Sequence, residues 1–145
     1  MMNIFEEAYR GIQEAKSAYK AATDANGQDA ARALYEQVTA KLNNLSGTEL
    51  CIWRAYEASK DCGNEYLDLN DIISDDAVED LVACMKEYGI ETFTFSSTWS
   101  HAVETAWRFQ KAGCTLAGIV EINSQHKAFM SDEYEKAHGY LFKLN

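Results

Sequence analysis

Residues 89–122 read GIETFTFSSTWSHAVETAWRFQKAGCTLAGIVEI, and this stretch decides the fold. Ile90, Thr92 and Thr94 alternate with Glu91, Phe93 and Phe95, the two-residue period of a strand with unlike faces. The hydroxyl-rich turn Ser96-Ser97-Thr98-Trp99-Ser100 leads into Ala102, Val103, Ala106, Trp107 and Phe109, which recur at helical spacing until Gly113. Cys114 to Ile122 then returns to β-rich composition. Strand, helix, glycine, strand is the pattern of a crossover connection.

The same pattern extends upstream. Tyr66 to Leu69 reads as a short strand, and Ser74 caps a helix that carries Val78, Leu81, Val82, Met85 and Tyr88 on one stripe and closes at Gly89. Residues 65–122 thus predict a β-α-β-α-β unit with a small parallel or mixed sheet. Downstream, Asn123-Ser124-Gln125 predicts a hairpin turn, followed by a strand over 127–130, a helical turn near 132–136 and a last strand over 140–144. Ahead of the unit, Phe5, Ala8, Ile12, Ala15, Tyr19 and Ala22 form one apolar stripe. Ala31, Leu34, Val38, Leu42 and Leu45 form another, across the turn residues Asp24 to Gly27, so an antiparallel helical hairpin is expected. Ser46 and Glu49 have the spacing of a capping box, which opens a third helix with Leu50, Trp53 and Tyr56 inward and an end near Gly63. The expected fold is α+β, or small α/β. It forms a single domain over 1–145, with a helical part at 1–63 and a mixed part at 64–145.

Composition narrows the function. At 145 residues and 47% hydrophobic content the chain is globular and long enough for a real core. No apolar run approaches the roughly 20 residues that span a bilayer. Met1 to Glu7 shows neither the basic start nor the apolar run of a signal peptide, so a cytoplasmic location is expected. Cys51, Cys62, Cys84 and Cys114 form no metal-type or redox-type pair, and reduced thiols are expected. No motif asks for a cofactor.

The net charge of −10 is concentrated in one place. Residues 1–60 hold 8 acids and 7 bases, and residues 105–145 hold 4 acids and 5 bases. Residues 61–104 hold 11 acids and one base, Lys86, so this segment alone sums to −10. Asp61, Glu65, Asp68, Asp71, Asp75, Asp76, Glu79, Asp80 and Glu87 are the candidate partner-binding residues. On the helix after Ser74, Asp76, Asp80 and Glu87 share a face, with Asp75 and Glu79 beside it. A row of like charge repels itself, and a basic groove relieves that repulsion, whereas direct binding to nucleic acid is disfavoured. The solvated-surface reading of the same residues is that they keep the chain soluble.

In size, charge and charge placement the chain resembles the small acidic proteins of phages and mobile elements, including anti-CRISPR and other anti-defence inhibitors that mimic nucleic acid. No motif carries positions over from them. The resemblance implies an interaction module whose acidic patch docks on the basic groove of a nucleic-acid-binding protein.

Two alternatives come from other classes. The turn at 96–101 lies between a strand and a helix N-terminus, where α/β sheets bind ligands, and Ser96, Ser97, Ser100 and His101 are the candidate residues of a small enzyme or ligand-binding module. That reading requires a concave pocket at the turn. The heptad-like stripes of the hairpin can instead pair two copies of the chain. No catalytic set is assigned, since no histidine is placed beside a nucleophile by spacing alone. Metals receive little support. Asp68, Asn70, Asp76 and Glu79 fit four positions of a calcium loop, but Ile72 and Ile73 stand where a ligand and the turn glycine belong. Asp68, Asp71 and Asp75 at a strand end form only a looser cation candidate.

Overall fold

The computed structural model describes residues 4–71 and 77–145. Ser74, Asp75 and Asp76, with Ile72 and Ile73, lie outside the described residues. The chain divides into two compact units, Met1–Leu50 and Cys51–Asn145. The division falls earlier than the change of pattern at residue 63.

In the first unit, α1 (Ile4–Ala21) and α2 (Ala25–Ala40) form the expected hairpin. Asp24 caps α2 by accepting from the Gly27 backbone N–H at 2.7 Å, so these residues start a helix where a free turn was expected. Phe5, Ala8, Ile12 and Ala15 are buried, but the stripe stops there and Tyr19 is exposed. On α2 only Ala31 is buried, and Leu34 is exposed. The helix ends before Leu42 and Leu45, where bonds of the i to i−3 type tighten the chain. Small residues set the helix spacing. A Cβ added at Gly11 would stand 2.9 Å from both methyls of Val38, so α1 and α2 approach closely there.

The helix α3 (Gly47–Asp61) starts at the predicted capping box. The Glu49 N–H donates to Ser46 Oγ and the Ser46 N–H to Glu49 Oε1, each at 3.2 Å. Its buried residues are Ile52, Trp53 and Ser59, while Leu50 and Tyr56 are half-buried. Gly63 (φ 76°) ends α3 with the paired bonds Gly63 N–H to Lys60 O and Asn64 N–H to Ser59 O.

The second unit holds the larger part of α3, then β1 (Leu67–Asn70), α4 (Ala77–Glu87), β2 (Thr92–Ser96), α5 (Ala102–Lys111), β3 (Cys114–Lys127) and β4 (Tyr134–Leu144). Gly89 (φ 73°) ends α4 by the same two bonds as Gly63 ends α3. The sheet order is β1-β2-β4-β3. β1 pairs with β2 in parallel, and β4 is antiparallel to both β2 and β3. The three strands of the predicted unit therefore point the same way, and β4 is inserted between the second and third. This is an α+β fold with a mixed sheet. Phe93 and Phe95 of β2 face Phe142 and Tyr140 of β4, and Phe109 of α5 packs 5.0, 5.6 and 5.5 Å from Phe93, Phe95 and Phe142. That aromatic cluster is the centre of the core. Its four phenylalanines are fully buried with Leu69, Val78, Leu81 and Met85, and Tyr140 is half-buried.

Four expectations change here. β3 runs through Asn123, Ser124 and Gln125, which form an irregularity of the β3–β4 ladder and no hairpin turn. The chain reverses at 128–133, closed by the Ala128 N–H to Glu133 O and with Met130 at φ 58°. The strand at 127–130 and the helical turn at 132–136 are absent, because Tyr134 to Lys136 already pair in the sheet. On α5 the buried residues are Thr105 and Phe109, while Val103 and Trp107 are 68% and 49% exposed. Among the described residues, no helix is long and apolar enough to cross a membrane. All four cysteines are free, and burial pushes the Cys62 and Cys114 thiols up from their ordinary values.

Candidate ligand site at the strand ends

Parallel pairing aligns Asp68 with Thr94 and Asn70 with Ser96. Alternation sends Leu67, Leu69, Phe93 and Phe95 to the opposite face from these polar residues. The polar face is nevertheless covered. Asp68 is 6% exposed, with Oδ1 accepting the Thr94 hydroxyl and Oδ2 the Ser96 hydroxyl, both at 2.7 Å. The Asn70 amide donates to Ser96 Oγ at 2.9 Å, and the Asp68 N–H donates to Ser59 Oγ of α3 at 2.9 Å. The carboxylate is thus held in one orientation by two hydroxyls of β2, and the Asp68 backbone is tied to α3.

Asp68 forms part of the wall of a cavity of about 270 Å³ at the carboxyl ends of β1 and β2. Asn70 and Asp71 complete the β1 side, and Ser96, Ser97 and Thr98 the β2 side. Ser124, Gln125 and His126 close it from the irregular part of β3, with His138 from β4. A second hollow of about 270 Å³, lined by Cys51 and Arg54 of α3, shares Asp68, Asn70 and Gln125 with the first. Asp71 clasps the two strand ends. At φ 48° it donates its N–H to Ser96 O and accepts from the Thr98 N–H at 3.1 Å. An aspartate tolerates this left-handed backbone better than most residues.

The β3 side is pinned by reciprocal amide bonds. The Asn123 N–H donates to Asn64 Oδ1 at 2.8 Å, and Asn64 Nδ2 donates to Asn123 O at 2.9 Å. Asn123 Nδ2 also donates to Cys62 O at 2.7 Å, and Lys136 Nζ donates to Asn123 Oδ1. These bonds hold the segment that carries Ser124, Gln125 and His126 against the strand ends.

The predicted turn residues separate into two pairs. Ser96 and Ser97 line the cavity, although Ser96 is engaged with Asp68 and Ser97 Oγ accepts from the Trp99 N–H at 3.0 Å. Ser100 and His101 do not line it. His101 stands exposed at the start of α5, makes no side-chain cap bond and lies 5.3 Å from the Trp99 ring. Sequence reading missed Thr94, Ser124, Gln125, His126 and His138 as members of one site.

The acidic set is likewise divided. Asp68 is buried and Asp71 half-buried at the strand ends, so neither belongs to an outward patch. Asp61 and Glu65 are exposed near the opposite end of β1, and Glu79, Asp80 and Glu87 are exposed on α4. Asp75 and Asp76 lie outside the described residues. Among the described residues, no three His, Cys, Asp or Glu side chains form a metal-holding group.

Burial pushes the Asp68 carboxyl above its ordinary value, the Thr94 and Ser96 hydroxyls pull it back, and the charge of Asp71 adds a smaller upward push. The folded state then holds this proton to higher pH than the unfolded state. Stability falls as pH rises from about 4 through the raised value, and the loss is complete above it. An asparagine at 68 accepts from one hydroxyl and donates to the other without ionising. The wild type is expected to lose stability relative to Asp68→Asn across that window, read as urea midpoints of both proteins in a pH series. Parallel curves would show that Asp68 is not shifted.

Residues 51–144 match the domain of unknown function DUF7698, and the chain belongs to that family. Neither a curated protein nor a solved structure matches the chain.

Proposed function

We propose that this DUF7698 chain is a binding module for a compact polar molecule, taken into the cavity at the carboxyl ends of β1 and β2. One observation carries the reading: a buried carboxylate, Asp68, is oriented by two hydroxyls at a cavity wall. A buried charge costs folding energy that apolar residues at 68, 94 and 96 together would avoid. Its placement at strand ends is that of ligand sites in sheets of this kind. The walls offer carboxylates, amides, hydroxyls and imidazoles, and among the described residues no lysine or arginine lines the cavity. That chemistry favours hydroxyl or ammonium donors over phosphate.

Amide spectra of labelled protein, titrated with polyols, sugars, amines and amino acids, test this directly. A member of the panel is expected to shift the amides of 70–71, 97–98 and 124–126, and Asp68→Asn to weaken that binding. Shifts confined to other regions, or equal binding by the variant, would remove the proposal.

A second reading rests on α4. Glu79, Asp80 and Glu87 are exposed and form no ion pair among the described residues, which leaves their charge for a basic partner. Here the chain is an acidic interaction module, and the groove of a nucleic-acid-binding protein is the partner surface, as for an inhibitor of the anti-CRISPR type. Affinity capture from the native host separates the two. A partner lost on Glu79→Lys, Asp80→Lys and Glu87→Lys together, but kept by Asp68→Asn, supports the acidic surface. A partner indifferent to the charge reversal excludes it.

A further inference from the structure

We infer that the helical hairpin carries a separate binding groove for a planar aromatic anion. Between the second half of α1 and the middle of α2 lies a groove of about 450 Å³, within the size range of small-molecule sites. Ala15 and Ala31, both buried, line it with methyl groups where larger side chains would fill the space. Tyr19 and Tyr35, 39% and 43% exposed, present rings on either helix. An incoming ring stacks on such faces.

The charge of the groove opposes that of the chain. Lys16, Lys20 and Arg32 line it against the single acid Glu36, in a protein of net charge −10. Arg32 is positioned by its neighbours. Its guanidinium lies 5.6 Å over the Tyr19 ring and donates to the Tyr19 hydroxyl at 3.3 Å, and Asp29 approaches it at 3.9 Å. Lysine stems commonly cover apolar surface, but three cations gathered over two alanines and two tyrosines also neutralise an anion whose ring fills the gap. A fused-ring carboxylate or sulfonate has that chemistry, and a polyphosphate without a ring does not.

The probe is 1-anilinonaphthalene-8-sulfonate, compared with the uncharged N-phenyl-1-naphthylamine. One sulfonate per chain is expected to bind, shifting the amides of residues 13–20 and 31–36. Lys16→Gln, Lys20→Gln and Arg32→Gln together are expected to weaken it about tenfold, three exposed charge contributions combined, and to leave the uncharged probe unchanged. Tyr35→Ala is expected to weaken both probes. All four positions are exposed, except that Arg32 also braces Tyr19, so circular dichroism of each variant checks the fold. Equal sulfonate binding by the triple glutamine variant, or shifts at the strand-end cavity instead, would overturn the inference. So would light scattering that shows a second copy of the chain occupying the groove, with the probe displaced as the protein is concentrated.

Discussion

Phe109→Ala is expected to destabilise the protein by about 3–5 kcal/mol, the largest effect of any single change considered. The Phe109 ring is fully buried and touches Phe93, Phe95 and Phe142, so truncation removes both its own burial and the packing of three other rings. A domain with a total stability of about 5–15 kcal/mol would lose a large share of it. Urea unfolding followed by circular dichroism measures the loss. Phe109→Leu, which keeps most of the volume, is expected to lose much less. If alanine and leucine unfold at the same midpoint as the wild type, α5 is not the lid of the aromatic cluster.

Asn64→Ala is expected to cost about 2 kcal/mol, because in a part-buried place it leaves the Asn123 N–H without its partner and the Asn123 C=O with the longer Cys62 thiol bond at 3.7 Å. Its second effect is local and more informative. Ser124, Gln125 and His126 follow directly on Asn123, so the wall of the cavity depends on a residue that does not line it. Hydrogen exchange at the amides of 123–126 is expected to accelerate in the variant, while the amides of β2 stay protected. Asn64→Asp keeps the acceptor for the Asn123 N–H but turns the donor into a charged acceptor facing Asn123 O, so it is expected to recover little of the loss. Unchanged exchange at 123–126 would show that the irregular part of β3 is held by the ladder alone.

The acidic segment shows how a correct count leads to an incomplete surface. The charge of residues 61–104 is read directly from composition, but composition does not distinguish Asp68 from Asp80. Strand alternation places Asp68 on the polar side of β1, and only the cover by α3 and the pairing with Thr94 and Ser96 turn that side into an interior. The turn at 96–101 is legible in the sequence by its place after a strand. Half of its residues belong to the cavity, because α5 starts only after His101 and carries Ser100 and His101 away from it. The remaining walls come from β3 and β4, whose polar residues resemble an ordinary turn when read along the chain.

What the sequence alone determined is local. The hairpin helices, the Ser46–Glu49 box, the glycine ends of α3 and α4 and the strand–helix alternation all rest on contacts within a few residues, whose energies depend little on the rest of the protein. Tertiary structure decided the insertion of β4 between β2 and β3, the position of the β3–β4 reversal, the burial of Asp68 and the meeting of Ser97, Gln125 and His138 around one cavity. A two-residue period suits any neighbouring strand equally well. The choice among neighbours is made by what the whole sheet buries, here the aromatic faces of β2, β4 and α5, and no local window contains that sum.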